Sequence, residues 1–200
     1  MRGLVVDVDG VIIVPRPGGW ARDLKADLGL SYEALATHFF SEHWEDVVTG
    51  KAGLHERLGP VLARLAPHLT SQELAAYWFS TDAILDTVLL DDLAKIRRSG
   101  VALHLATVQD HERARFLWSD LGLHAQFDAM HYSAQIGFKK SNPRFYAAIE
   151  ARTGFAAGEL VLVDDTLSNV EMARAAGWGG VHWTGAEPIG VLLAALGGAA

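Results

Sequence analysis

The chain contains no cysteine in its 200 residues, which excludes a disulfide framework, a thiol nucleophile and a cysteine-ligated metal site. It also lacks an excess of positive charge: 17 Lys and Arg stand against 24 Asp and Glu, for a formal net charge of -7. Nucleic-acid binders usually carry a basic patch, so no nucleic-acid partner is expected. No apolar run is long enough to span a bilayer. The apolar stretch from Gly3 to Val14 carries Asp7 and Asp9, which the apolar core of a signal peptide would not tolerate. No membrane partner is therefore expected, and a cytoplasmic location is the default. Internal repeats and low-complexity linkers are missing too. An anionic substrate would meet an unfavourable overall field, so its attraction must be local, from a metal ion and one or two lysines.

Half of the residues are apolar, enough to bury a sizeable core in one domain. Runs rich in Val, Leu and Ile at Leu4 to Asp7, Val101 to Ala106, Leu160 to Val163 and Gly180 to Trp183 are read as buried strands, with a weaker one at Ala129 to Tyr132. Helical periodicity lies between the later runs, at Leu90 to Arg98, Glu112 to Leu121, Pro143 to Thr153 and Asn169 to Ala176. Alternation of this kind predicts right-handed crossovers and a doubly wound, Rossmann-like parallel α/β sheet. Function then belongs at the carboxyl ends of the strands. The stretch 18–85 breaks the rhythm, with helical patterns and aromatic residues but no convincing strand. It is expected to be an α-helical cap inserted after the first strand, leaving 1–17 and 86–200 as the core. The terminal Gly-Gly-Ala-Ala is expected to fray.

Four signals carry chemistry. Val5-Val6-Asp7-Val8-Asp9-Gly10 ends an apolar strand in two carboxylates and a glycine, where the chain can turn and give the two acids different tasks; an Asp-Gly turn is the plain structural alternative. Leu160 to Asp165 ends a second strand in paired acids, and helix capping explains only one of them. Two acid pairs at one sheet edge call for a cation, and hard oxygen donors point to Mg²⁺. Thr107 closes a third strand, where a hydroxyl and backbone amides suit a phosphate oxygen, although a lone Thr is more often structural. Lys139 and Lys140 precede a helix, where a solvated surface pair is the competing reading.

In this order the signals read Asp-x-Asp, Thr, Lys, then Asp-Asp-x-x-x-Asn, and the sequence resembles the haloacid dehalogenase superfamily over nearly its whole length. The insert of 18–85 matches that superfamily's smaller helical cap. Two positions depart from it: Ser141 follows the lysine where relatives often have proline, and Val108 follows Thr107 where asparagine is common. Val108 is expected at the rim of the phosphate pocket.

The resemblance implies a phosphohydrolase of a small phosphorylated metabolite. It makes Asp7 the nucleophile that forms an aspartyl-phosphate, and Asp9 the acid and base. Thr107 and Lys140 become phosphate ligands, with Lys139 a rival for the lysine role. Mg²⁺ would be held by Asp7, the Asp9 backbone carbonyl and the Asp164–Asp165 pair, with Asp165 favoured for direct contact. Dehalogenating relatives usually lack the second aspartate, so dehalogenation is not expected. A phosphomutase or phosphotransferase, and a non-catalytic phosphate-binding or interaction module, remain alternatives on the same scaffold. A phospho-signalling receiver domain is disfavoured by the order of its acids. In the insert, Trp20, His38, His43, Trp44 and Lys51 are candidates for substrate contact, against the plainer reading of the aromatics as core. Neither leaving group nor oligomeric state is legible.

Overall fold

In the computed structural model, which describes residues 1–197, five parallel strands form one sheet. The part of the expected frayed terminus from Gly198 onward lies outside the described residues. The strands are β1 (Gly3–Val6), β2 (Ala102–Thr107), β3 (Ala129–Tyr132), β4 (Leu160–Asp164) and β5 (Gly179–His182), in the order β3-β2-β1-β4-β5. β1 is central, with Gly3 opposite Ala102 on one side and Leu160 on the other. The chain reverses its winding direction at β1, so the carboxyl ends of β1, β2 and β4 surround the crevice where ligands of such sheets bind.

After β1, residues 24–81 form five helices: α1 (Leu24–Leu28), α2 (Tyr32–Leu35), α3 (Ser41–Val48), α4 (Leu54–Leu65) and α5 (Ser71–Thr81), with a π turn at Ala36–Phe40 joining α2 to α3. They enclose a core of their own, in which Leu35, Phe39, Leu58, Leu62, Leu74 and Trp78 are buried together. Two backbone bonds fasten the exit and return of this segment, Val14 N to Ile84 O and Asp86 N to Ile12 O, both 2.8 Å. α5 begins in a capping box, with Thr70 Oγ1 accepting from Glu73 N and Glu73 accepting in turn from Thr70 N.

The remaining helices cover both faces of the sheet: α6 (Thr87–Arg98), α7 (His111–Arg115), α8 (Ser133–Ile136), α9 (Pro143–Thr153), α10 (Leu167–Ala175) and α11 (Ile189–Gly197). Side chains alternate across a strand, so Leu4 and Val6 join Leu89, Leu93 and Ile189 on one face, while Val5 joins Phe145, Ile149 and Ala173 on the other. The helix expected over Glu112 to Leu121 is instead α7 followed by a π turn at Phe116–Asp120. Among the described residues no helix is long and apolar enough to cross a membrane.

Candidate active site

Asp7 lies one residue beyond β1, its backbone N–H still donating to Val163 O at 2.9 Å. Its Oδ1 accepts from Val8 N at 2.7 Å and sits 2.6 Å from Lys140 Nζ, which leaves Oδ2 as the oxygen without a donor among the described residues. Burial pushes the Asp7 carboxyl up to about 7; Lys140 works against that shift and Asp164 adds to it. Asp164 is fully buried: its Oδ2 accepts from Lys140 at 2.7 Å, and its Oδ1 accepts from Thr166 N at 2.9 Å and Asn169 Nδ2 at 3.0 Å. Burial alone would favour the neutral amine of Lys140, but the two carboxylates outweigh it and hold its pKa above the ordinary lysine value. Lys139, the other candidate, is at the surface and pairs with Glu45 at 2.5 Å.

Asp7, Asp164 and Asp165 each present an oxygen, all within 4.8 Å of one another. Three carboxylates this close, with only one lysine among them, form a hard-oxygen donor set that fits a small divalent cation. The glycine after the Asp-x-Asp pair completes this cradle. Gly10 has φ +78°, and a Cβ built on it would collide with the Asp165 carboxylate. The Asp9 carboxylate stands outside the cluster. Gln109 Nε2 donates to its Oδ2, and Arg113 Nη2 lies 3.8 Å from its Oδ1. Although about half of its side chain is solvent accessible, Asp9 is raised above the usual carboxylate range by desolvation, with Arg113 opposing and Asp82 and Asp165 adding to the rise.

Thr107 is buried at the end of β2, and Thr107, Val108 and Lys140 line the same cavity of about 410 Å³ as Asp7, Asp9 and Asp165. The expected candidates thus converge on one crevice. The five insert residues do not line it. Trp20 stacks on Trp78 with ring centroids 5.0 Å apart, and Trp44 packs against Phe40 and Trp78. His38 and His43 face Glu42, and Lys51 faces Asp46. Gln109 and Arg113 were not legible as site residues. The one available signal was an arginine beside the apolar run Phe116-Leu117-Trp118, and it is 1% exposed.

The profile of haloacid dehalogenase-like hydrolases matches residues 1–177. The chain belongs to that family. A sesquiterpene phosphatase of Aspergillus oryzae is 28% identical over 191 residues, covering 92% of this chain and 90% of its own. A phosphoglycolate phosphatase of Pectobacterium atrosepticum is 25% identical over 190 residues, covering 92% and 80%. Among solved structures, a haloacid dehalogenase family enzyme from Bacteroides thetaiotaomicron superposes with a TM-score of 0.82 at 18% identity, over 96% of this chain and 98% of that one. The same enzyme in complex with magnesium and inorganic phosphate superposes with a TM-score of 0.76 at 16% identity, over the same shares.

Proposed function

We propose that this haloacid dehalogenase-like hydrolase is a Mg²⁺-dependent phosphohydrolase of a small phosphorylated metabolite, acting through an aspartyl-phosphate on Asp7. The observation that carries the reading is the cluster of Asp7, Asp164 and Asp165 closed at its buried side by Lys140. Mg²⁺ held by these three carboxylates would offset the repulsion between nucleophile and phosphate and polarise the phosphoryl group.

Asp7 Oδ2 attacks phosphorus in line, the bond to the ester oxygen breaks, and Asp9 delivers its proton to the departing alkoxide. Asp9 then takes a proton from water, which attacks the same phosphorus and frees Asp7 with inorganic phosphate. The raised pKa of Asp9 suits a group that must be protonated in the first step, and such proton transfer is typically worth ~10² to 10⁴-fold. Lys140 and Thr107 hold equatorial oxygens, where positioning and charge supply most of the catalysis in phosphoryl transfer. Residues 18–85 act as a cap over the site, and Arg113, bonded to the carbonyls of Phe79 and Asp82, ties the end of that segment to Asp9.

The relatives are named for a sesquiterpene and for phosphoglycolate, a hydrocarbon and a carboxylate-bearing ester, so they leave the leaving group open. Phosphate release from a panel of small esters, with and without Mg²⁺, tests the reading. Asp7→Asn is expected to abolish metal-dependent release, and equal activity in both proteins would remove Asp7 from its role.

A further inference from the structure

The crevice is rich in acids and holds a single cation. Among the described residues that line it, Lys140 alone is positive, and it sits at the buried end where phosphate would bind. Three other cations already have partners. Arg113 is buried against Asp82 and the Phe79 carbonyl, Arg16 pairs with Asp23 at 2.7 Å, and Lys139 pairs with Glu45. A leaving group with its own negative charge would therefore find no second lysine or arginine among the described residues that line the crevice.

The outer wall has a different character. Pro15 and Val108 also line the crevice, the latter where the family resemblance makes a polar asparagine common. Gly10, Pro15 and Asp165 are shared with an adjoining cavity of about 340 Å³, also lined by Val11, Val14 and Trp183. Through Asp86, Trp183 and Gly185 that cavity adjoins a third of about 240 Å³, walled by Val88, Leu89 and Ile189. Val14 and Val88 are exposed apolar side chains, at 41% and 73%, and both line this groove. Its acids are already occupied: Asp86 caps α6 by accepting from Leu89 N at 2.9 Å, Asp92 pairs with Lys95 at 2.7 Å, and Asp165 belongs to the cation cluster. An amine on the substrate would thus find little more than Glu187 at the far end.

Resting on the phosphohydrolase reading, we propose that this groove binds an uncharged apolar leaving group, so that the substrates are phosphate monoesters of apolar alcohols. The phosphate anchors at Lys140 and Thr107, and the hydrocarbon runs past Pro15 and Val14 toward Trp183 and Val88. Each methylene that enters the groove should raise kcat/KM by up to roughly fourfold, the scale set by burying one such group.

The test is a series of straight-chain alkyl phosphates from butyl to decyl, beside phosphoglycolate and phosphoethanolamine, all with Mg²⁺. The expected result is a kcat/KM that climbs with chain length and exceeds both charged esters by at least tenfold at octyl. Val14→Glu and Val88→Glu flatten the climb, whereas Val191→Glu, the same change on an apolar side chain 55% exposed and outside the groove, leaves it intact. A flat series, or faster release from either charged ester, overturns the proposal while leaving the hydrolase reading standing. Release from no ester at all overturns both.

Discussion

Lys140 keeps its charge where water barely reaches it, 1% exposed and within 2.7 Å of two carboxylates. Removing one member of a buried ionic group is far costlier than the group's net worth, because the others are left uncompensated. Lys140→Met should therefore destabilise the metal-free protein by about 3 kcal/mol, read from urea unfolding. Added Mg²⁺ should recover part of that loss, since a cation among the carboxylates replaces the missing charge. A second buried group makes a pH prediction. His131 faces His104 across β2 and β3 with ring nitrogens 3.4 Å apart, and burial pushes its pKa down to about 4, with His104 and Arg152 adding to the fall. The folded value lies below the unfolded one, so the contribution is complete above about pH 6.5 and is lost as pH falls toward 4, at up to about 1.4 kcal/mol per pH unit. His131→Leu should lose less stability than the parent between pH 6.5 and pH 4.5, and an unchanged slope would show that the histidine does not titrate this way. At this scale the acids were legible because carboxylates at the ends of apolar strands contradict their surroundings. Only the family resemblance favoured Lys140 over its rival Lys139, since their difference is one of direction, outward to Glu45 or inward to Asp164. Gln109 and Arg113 were missed because their value lies in contacts with Asp9 and Asp82, far away in sequence.

The strands were legible to within a residue or so because central strands of a parallel sheet are buried on both faces and read as unbroken apolar runs. Helix α9 was legible in full, since Asn142 accepts from Arg144 N, Pro143 supplies a preset first turn and Gly154 ends the helix. The break of α7 into a π turn carries no such marker, and the apolar spacing that predicts one helix to Leu121 is compatible with both forms. Where the helical segment meets the core, Gly50 has φ +73°, and a Cβ there would collide with the Ala134 carbonyl at the start of α8. Backbone cannot yield as a flexible side chain can. Gly50→Ala should destabilise the protein by about 1 to 3 kcal/mol, measured as a lowered urea midpoint.

Across the whole molecule, Arg113 connects the helical segment to Asp9, the proposed acid. Its guanidinium donates to Phe79 O at 2.9 Å and to Asp82 O, packs between the rings of Phe79 and Phe116, and lies near Asp9. Arg113→Met keeps the apolar contact and removes the charge. Because Arg113 holds the Asp9 pKa down, the variant should shift the limb of the pH-rate profile governed by Asp9 to higher pH and lower kcat by at least about tenfold. An unmoved profile with reduced stability would assign Arg113 a structural role alone.

The central place of β1 also bears on the order in which the protein is made. The strand that leads to Asp7 leaves the ribosome before the other four, yet its neighbours begin at Ala102 and Leu160. The helices between residues 24 and 81 can pack on one another as they emerge, while β1 waits with both edges unpaired. A chain halted before β4 would hold Asp7 and Asp9 without Asp164, beside an apolar strand open to any other strand that passes.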